Sequence, residues 1–264
     1  MKKIAVCISG LIRYWEETYP LFEHWNNLFD EVEFVFFLST WKGNDLWYEK
    51  ERFGNLEFTE NDYSKYNFIE NYSLHDEKKV NILENHLPAS FLKHYSIQQV
   101  HKLRKKYEKQ SQIFDGIIQT RNDIFISKEI LQSCINIQDY FHKSGRYVLT
   151  PTATTTNESG TLILPNDNFV YSNSKTMDLV MNLYNDIHNQ AFNSCHLGEA
   201  EFYFKNNIQN IAIDKHPLLF REGKLKKWGR PTPESMKELI DIKGVDWIYN
   251  QRVEDLQQNY WNYE

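Results

Sequence analysis

The chain has 264 residues and a formal net charge of −6, with 41% hydrophobic and 15% aromatic residues. This acidic balance, without a long basic tract, excludes a general nucleic-acid binder, and the negative mean hydropathy argues against a protein embedded in a membrane. The length allows one large α/β domain or a domain with an appendage. The cysteines lie far apart without metal-ligand spacing, as in proteins of a reducing compartment. We therefore expect a cytoplasmic protein.

The N-terminal segment predicts a βαβ unit. Residues 4–8 form a nearly continuous apolar run, which is typical of a strand covered on both faces. Apolar residues recur every three or four positions over residues 15–29, as in a helix that packs on a sheet, and residues 32–38 predict the second strand. Such units commonly bind a nucleotide at the turn after the first strand.

That turn contains Ser9, Gly10 and Arg13. It lacks the further glycines of a dinucleotide fingerprint, but Gly10 allows close backbone approach, and the helix N-terminal amides and one guanidinium suit a pyrophosphate or sugar hydroxyls. The alternative is structural, with Gly10 in a tight turn and Arg13 as a solvated residue at the helix start. At the end of the second strand, Thr40 and Trp41 are candidates for contact with the base, although the tryptophan is equally suited to packing.

Residues 90–112 predict a long helix with one broad apolar face. Its C-terminal part carries a run of cations, for which a solvent-exposed face is the simplest interpretation. These cations are Lys102, Arg104, Lys105, Lys106 and Lys109.

The segment 114–126 is the strongest candidate for a functional element. An apolar strand, Ile117-Ile118, leads into Arg121-Asn122-Asp123 and then into a second apolar run at 124–126. In an open α/β sheet, ligands bind beyond the carboxyl ends of the strands. We therefore predict that Asp123 binds a divalent cation that bridges nucleotide phosphates. The alternative is a surface ion pair between Arg121 and Asp123 that caps a β-turn.

The next part of the chain predicts short alternating elements. Residues 128–141 fit a short helix or a loop, residues 146–150 fit a strand, and the Thr-rich segment 151–160 fits a mobile loop. Asp167 is a candidate contact for an incoming sugar or acceptor, or else a turn-forming residue. Ser174 is predicted to cap the helix that follows it.

The C-terminal third offers a carboxylate, a histidine and a basic segment as candidates. Glu199 and Glu201 point about 200° apart on a helix and cannot act as a pair, so we favour Glu199 as the residue that faces a cleft. His216, at a strand exit, is a candidate metal ligand as neutral imidazole. The basic segment 224–230 suits a phosphorylated substrate or a membrane surface. Thr232-Pro233 predicts the start of a final helix.

The order of these motifs resembles bacterial and viral glycosyltransferases of GT-A type that build lipopolysaccharide or capsular glycans. In those proteins, an element of the form YD-x-hydrophobic-x-x-x-R-x-D takes the place of the metal-binding DxD motif. Here Phe114 replaces the tyrosine, and the element has a single acid at its end. The enzyme could therefore bind its metal ion weakly or work without one. The resemblance spans roughly residues 4–221 and rests on the turn 9–13, on Tyr95-Ser96-Ile97-Gln98-Gln99, on Tyr107-Glu108 and on the segment 114–123.

The resemblance implies an α/β fold with a GT-A-like, Rossmann-type central sheet flanked by helices over residues 1–222. A helical C-terminal extension is expected at 223–264, with the nucleotide-sugar half at about 1–126 and the acceptor half at 127–222. The implied reaction transfers a sugar from a nucleotide-sugar donor to a hydroxyl of a glycan or glycolipid acceptor, such as lipopolysaccharide or capsule. The implied metal is Mn²⁺ or Mg²⁺. The implied location is the inner face of the membrane, which the protein would contact through residues 224–230.

In such a reaction, the charge that develops on the departing nucleoside diphosphate needs a divalent ion or positive side chains. We assign Asp123 as the metal ligand, with His216 completing the shell. Arg13, Arg121 and Asn122 are assigned to the phosphates or the sugar.

In an inverting reaction, Glu199 or Asp167 would deprotonate the acceptor hydroxyl. Two other functions stay open. One is a nucleotidyltransferase, which would ordinarily need a glycine-rich, basic phosphate loop. The other is a non-catalytic nucleotide- or sugar-binding module on the same fold.

Overall fold

The protein folds into an α/β structure with helices packed on a central sheet, which confirms the predicted fold class. The structure is a computed structural model, and among the residues that it describes the central sheet has eight strands, accompanied by a separate two-stranded sheet. The described residues are 1–43, 57–63, 65–80, 88–143, 145–157, 160–165, 168–183, 185, 202–213, 217–220 and 231–261.

The N-terminal half of the sheet is parallel. Its strands are β1 (Lys2–Ser9), β2 (Val32–Trp41), β3 (Ile69–His75) and β4 (Gly116–Thr120), in the spatial order β3-β2-β1-β4. Each strand pairs in parallel with its neighbour, so the carboxyl ends of these strands meet at one edge. The predicted first and second strands are confirmed, and their burial on both faces explains their continuous apolar runs.

Helices cover both faces of this half of the sheet. Ile4 and Val6 of β1 share a core with Trp15, whereas Ala5 shares the opposite core with Val100. Because successive side chains of a strand point to opposite faces, these two cores lie on the two sides of the sheet. The helices are α1 (Trp15–Glu23), α2 (Glu60–Tyr63) and α3 (Pro88–Gln110), with 3₁₀ turns at His24–Asn27 and Glu77–Lys79.

The C-terminal half of the sheet is mixed. Its elements are β5 (Ile124–Phe125), α4 (Lys128–Lys143), β6 (Tyr147–Asn157), β7 (Gly160–Pro165), β8 (Phe169–Ser172), α5 (Ser174–Val180), β9 (Gln209–Ile213) and β10 (Leu218–Leu219). β8 pairs antiparallel with β4, and β6 pairs with β7, β8 and β9, while β5 and β10 form the small sheet. The predicted mobile loop at 151–160 is wrong, because its β-branched threonines favour the strand that they form in β6.

The prediction of a solvent-exposed charged face at the end of α3 is wrong for Arg104. Its side chain is 0% exposed, and Nη1 donates hydrogen bonds to Glu108 Oε2 and to Ser174 Oγ, each at 2.7 Å. Nη2 donates to Asp178. A charge is stable in the interior when it is paired and hydrogen-bonded, and this network joins α3 to α5.

The predicted helix cap at Ser174 is also wrong. The N-cap of α5 is Asn173, whose side chain accepts a hydrogen bond from the Thr176 amide at 2.8 Å. Ser174 is the first residue of the helix, and its hydroxyl is used by the Arg104 network instead.

The C-terminal segment packs into the main core. It contains α6 (Pro233–Lys243), α7 (Val245–Tyr249), α8 (Val253–Leu256) and a π-helical turn at Gln257–Trp261. The predicted start of α6 is confirmed, because Thr232 Oγ1 accepts from the Ser235 amide at 3.1 Å and Pro233 occupies the first turn. Trp261 has no exposed surface and belongs to the same core as β1. Within the described ranges, no helix combines the length and apolar character needed to cross a membrane.

Candidate functional site

The turns that follow β1 and β4 lie side by side beyond the carboxyl edge of the sheet. Ile8 pairs with Thr120, so the segments 10–14 and 121–123 leave the sheet at the same level. Gly10 has a φ of +111°, which favours glycine, and its amide donates to the Ser39 carbonyl at 3.2 Å. The chain therefore turns sharply out of β1 before it reaches Arg13.

The centre of the site is an ion-pair network of two arginines and one aspartate. Arg13 Nη1 and Arg121 Nη2 donate to Asp123 Oδ2 at 3.0 and 2.6 Å, and Arg121 Nε donates to Asp123 Oδ1. The side chains of Arg13 and Asp123 are 8% and 6% exposed, whereas that of Arg121 is 32% exposed. The ion pair between Arg121 and Asp123, which was the alternative to a metal site, is present. Its carboxylate is buried, however, and Arg121 is the member that solvent reaches.

Two asparagines hold the arginines in place. Asn122 Nδ2 donates to the Arg13 carbonyl oxygen and so ties the two turns together. Asn168 Oδ1 accepts a hydrogen bond from Arg121 Nη1 at 3.0 Å, and the Asn168 carbonyl accepts one from Thr120 Oγ1 at 3.1 Å. The guanidinium of Arg121 is therefore oriented from two sides although it is partly exposed.

The carboxyl group of Asp123 stays ionised. Burial acts to raise its pKa, but the positive charges of Arg121 and Arg13 and their hydrogen bonds outweigh burial and hold the pKa below its usual value. Such a carboxylate is a weak base, so Asp123 is unsuited to removing a proton from an acceptor hydroxyl.

The described residues around Asp123 do not fit a divalent cation. Both carboxylate oxygens of Asp123 already accept hydrogen bonds from guanidinium groups. Mg²⁺ and similar hard cations bind to oxygen ligands, chiefly carboxylates, and no cluster of three or more metal-ligating side chains occurs in the part of the chain that the structure describes. The guanidinium group of Arg121, which solvent reaches, is of a kind that binds anions.

A cleft of about 260 Å³ opens beside the same turn. Ile12 and Tyr14 line the cleft, whereas Arg13 between them reaches Asp123. The turn therefore places a cleft lined by aromatic and acidic side chains next to the arginine centre. The described lining residues are Leu11, Ile12, Tyr14, Trp15, Glu16, Glu17, Trp41, Glu57, Phe58 and Asp62.

Ser9 and Thr40 are buried at this edge but do not line the cleft. Ser9 Oγ accepts a hydrogen bond from Gln119 Nε2 at 2.8 Å, and Thr40 has no exposed surface. Of the two residues predicted to contact the base, Trp41 lines the cleft.

Sequence reasoning missed His75, which ends β3 at the same edge. Its Nε2 lies 2.9 Å from Ser39 Oγ and 3.0 Å from Ser73 Oγ. Burial, reinforced by the positive charge of Lys102, lowers the pKa of His75 to about 4, so its imidazole is neutral at physiological pH. Its position at the end of β3 could have pointed to it, but the sequence analysis did not predict that strand.

Several predicted residues lie outside the described ranges. The candidate general bases Asp167 and Glu199, the candidate metal ligand His216 and the basic segment 224–230 are among them. Their roles stay predictions.

The solved structures that resemble the chain do so only remotely. No family model and no curated protein matches the chain. It is similar to a glycosyltransferase involved in the glycosylation of the major capsid of PBCV-1, with 9% identity and a TM-score of 0.43 over 81% of this chain and 82% of that one. It is also similar to a protein assigned as a nucleotide-diphospho-sugar transferase from Desulfovibrio desulfuricans G20, with 7% identity and a TM-score of 0.44 over 96% of this chain and 100% of that one.

A third similar structure is the bifunctional IspDF from Campylobacter jejuni, with 12% identity and a TM-score of 0.36. Here the match covers 81% of this chain and 50% of that one. Similarity at this level does not identify the family of the chain.

Proposed function

We propose that the protein transfers a sugar from a nucleotide-sugar donor to a hydroxyl group of a glycan acceptor. The observation that carries the proposal is the turn 10–14, which sets a cleft with four aromatic and four acidic lining residues next to the guanidinium groups of Arg13 and Arg121. A nucleoside diphosphate has the same two parts, an aromatic base and an anionic diphosphate. The base suits the aromatic cleft, and the diphosphate suits the guanidinium groups of Arg13 and Arg121.

Arg121 is the residue proposed to meet the leaving group. In glycosyl transfer, the bond between the anomeric carbon and the diphosphate oxygen breaks, and negative charge builds up on the diphosphate. A guanidinium that Asp123 and Asn168 already orient stabilises that charge without reorganising at the moment of reaction. Arg13, buried beside it, adds to the positive potential of the site.

The acceptor hydroxyl must lose its proton as its oxygen forms the new bond to the anomeric carbon. For an inverting reaction we assign this step to Glu199 or Asp167. Because the pKa of Asp123 is lowered, Asp123 is a weak base, and we assign it the role of orienting the arginines instead.

The acceptor class rests on the sequence resemblance alone. The element at 114–123 resembles those of transferases that build surface glycans, so we propose lipopolysaccharide or capsule as the acceptor. The basic segment 224–230 is the proposed contact with the inner face of the membrane.

Thermal unfolding with a panel of UDP-, GDP-, CMP- and dTDP-sugars tests donor binding. A ligand at a hundredfold excess over its Kd stabilises the native state by about 2.7 kcal/mol, so the correct donor raises the Tm clearly. A folded protein whose Tm responds to no nucleotide in the panel contradicts the proposal.

Product analysis then tests the reaction with a glycan acceptor. Release of the free nucleotide together with a glycosylated acceptor supports sugar transfer. Release of pyrophosphate identifies a nucleotidyltransferase instead, and donor binding without turnover on any acceptor identifies a binding module.

A further inference from the structure

Tyr14 has a backbone conformation that is unusual for its residue type. Its φ is +54° and its ψ is +31°, which is the left-handed helical region. Glycine and, to a lesser degree, asparagine adopt this region readily, whereas in other L-residues the Cβ atom comes too close to the following carbonyl oxygen. In the part of the chain that the structure describes, the non-glycine residues with a positive φ are Tyr14 and Asn207. Of these two, Tyr14 is the residue type that disfavours the conformation.

Hydrogen bonds on both sides of Tyr14 hold this conformation in place. Before it, the Arg13 carbonyl accepts a hydrogen bond from Asn122 Nδ2. After it, the amides of Glu17 and Thr18, in the first turn of α1, donate to the Tyr14 carbonyl at 3.1 and 3.0 Å. The Tyr14 side chain also packs against the main core. An unfavourable backbone conformation persists when its surroundings determine it in this way, and such residues cluster at functional sites.

Tyr14 is the residue at which the chain passes from Arg13 into α1. Arg13 Nη1 lies 3.0 Å from Asp123 Oδ2, whereas Trp15 begins the helix and is buried in the main core. The two soft dihedrals of one residue set the direction of the segment before it relative to the segment after it. The left-handed conformation of Tyr14 is therefore the step that allows Arg13 to reach Asp123 while α1 packs on the sheet.

We propose that Tyr14 is a positioning residue of the donor site, which acts by holding Arg13 against Asp123. This inference rests on the proposed function. The helix α1 is fixed by its buried side chains, among them Trp15 and Phe22, so a change of the backbone at position 14 displaces the turn before it rather than the helix. Arg13 then loses its place at Asp123, and the phosphate site loses one of its two guanidinium groups.

Three substitutions separate the backbone of Tyr14 from its ring. Tyr14→Asn and Tyr14→Val both remove the ring and introduce side chains of similar size. Asparagine tolerates the left-handed conformation, whereas the β-branched valine does not. Tyr14→Ala also disfavours the conformation, but less than valine does, and replaces Tyr14→Val if that variant does not fold.

Isothermal titration calorimetry of the full chain measures the effect on binding. Titration with UDP, GDP, CMP and dTDP first identifies the nucleotide that binds most tightly to the wild-type protein. With this nucleotide, we expect Tyr14→Asn to keep the Kd within about threefold. Tyr14→Val should raise the Kd about tenfold or more, as the loss of a charged hydrogen-bond donor does, and Tyr14→Ala should give an intermediate value.

The matched control is Asn207→Val. Asn207 has a φ of +51°, but it lies before β9 and does not line the cleft. We expect Asn207→Val to lower the Tm, as Tyr14→Val does, and to leave the Kd within about threefold of the wild-type value. The two valine variants therefore share the backbone defect and differ in binding.

A double-mutant cycle tests whether Tyr14 acts through Arg13. In Arg13→Gln, Asp123 still pairs with Arg121, but the guanidinium that Tyr14 places is missing. We expect Tyr14→Val to raise the Kd of Arg13→Gln by less than about threefold, against about tenfold or more in the wild-type background. An equal rise in both backgrounds would overturn the route through Arg13.

The failures of the two proposals are distinguishable. The positioning role is wrong, while donor binding stands, if Tyr14→Val binds the nucleotide as tightly as the wild-type protein does. The same holds if Tyr14→Asn loses as much affinity as Tyr14→Val, because the ring rather than the backbone then matters. If the folded wild-type protein binds none of the four nucleotides, both the positioning role and the proposed function are wrong.

Discussion

Two arginine networks in the described part of the chain differ in how far solvent reaches them. Around Arg104, one guanidinium bonds to two carboxylates, Glu108 and Asp178, and the arginine side chain is 0% exposed. At the edge of the sheet, two guanidiniums share the single carboxylate of Asp123, and the side chain of Arg121 is 32% exposed.

This difference distinguishes the structural role of Arg104 from the binding role that we propose for Arg121. A buried charge whose partners are all within the fold joins elements together but has nothing left to offer a ligand. A guanidinium group with access to solvent, such as that of Arg121, can still bind an anion. The solvent access of Arg121, compared with the full burial of Arg104, is therefore the reason for proposing a binding role for the network at the edge of the sheet.

The largest expected effect comes from Arg104→Met, which leaves Glu108 and Asp178 without their central cation. We expect the free energy of unfolding, measured in urea, to fall by about 3–5 kcal/mol, with nucleotide affinity of the folded fraction unchanged. The control is Lys105→Met, because Lys105 also pairs with Asp178 but its side chain is 39% exposed, and it should cost less than about 1 kcal/mol. Equal losses of unfolding free energy in Arg104→Met and Lys105→Met would contradict the structural role of Arg104.

The second effect is on binding. Arg121→Gln should raise the Kd for the nucleoside diphosphate about tenfold to a hundredfold, because it removes hydrogen bonds from a charged donor. Its unfolding free energy should change by less than about 1 kcal/mol. The matched control is Arg252→Gln, an arginine whose side chain is 70% exposed. Unchanged affinity in Arg121→Gln would show that the edge network does not bind the donor.

The third effect is a loss of stability in acid that depends on Asp123. Its pKa is held below the usual value in the folded protein, so the unfolded chain takes up a proton first as the pH falls. The stabilisation by Asp123 is therefore complete above a pH of about 4 and is lost as the pH falls through the folded pKa.

Urea unfolding between pH values of about 5 and 3 measures the free energy of unfolding of the wild-type protein and of Asp123→Asn. The difference between these two free energies should shrink as the pH falls. His75 and His101 also destabilise the folded state as the pH falls below the usual pKa of histidine, since burial lowers the pKa of each in the folded protein, but both are present in the two proteins compared. A difference that is independent of pH would contradict the ion-pair assignment.

The smallest expected effect is that of metal removal. Because both carboxylate oxygens of Asp123 already accept hydrogen bonds from arginines, chelation with EDTA should change the Kd for the nucleoside diphosphate by less than about threefold. Calorimetry with and without EDTA measures this. A loss of tenfold or more that Mn²⁺ restores would instead place a cation at the donor site, as the sequence resemblance implies.

By itself, the sequence determined three of the four parallel strands, β1, β2 and β4, and the turns of the candidate site that follow β1 and β4. The apolar runs at 4–8 and 32–38 are continuous because those strands are buried on both faces, and the spacing of apolar residues located α1 and α3. Parallel strands bring their carboxyl ends to one edge. The meeting of the turn 9–13 with the segment 121–123 therefore follows from the sequence pattern.

The tertiary structure decided which charges meet. Arg104 lies in a run of cations whose spacing predicts a solvent-exposed face, but Ser174 and Asp178, 70 and 74 positions further along the chain, bond to it in the interior. Asp123 has the position of a metal ligand, but Arg13, 110 positions earlier, reaches the same carboxylate and turns the site cationic. Local spacing cannot encode such pairs, because the energy of a charge depends on its distances to other charges in the folded chain.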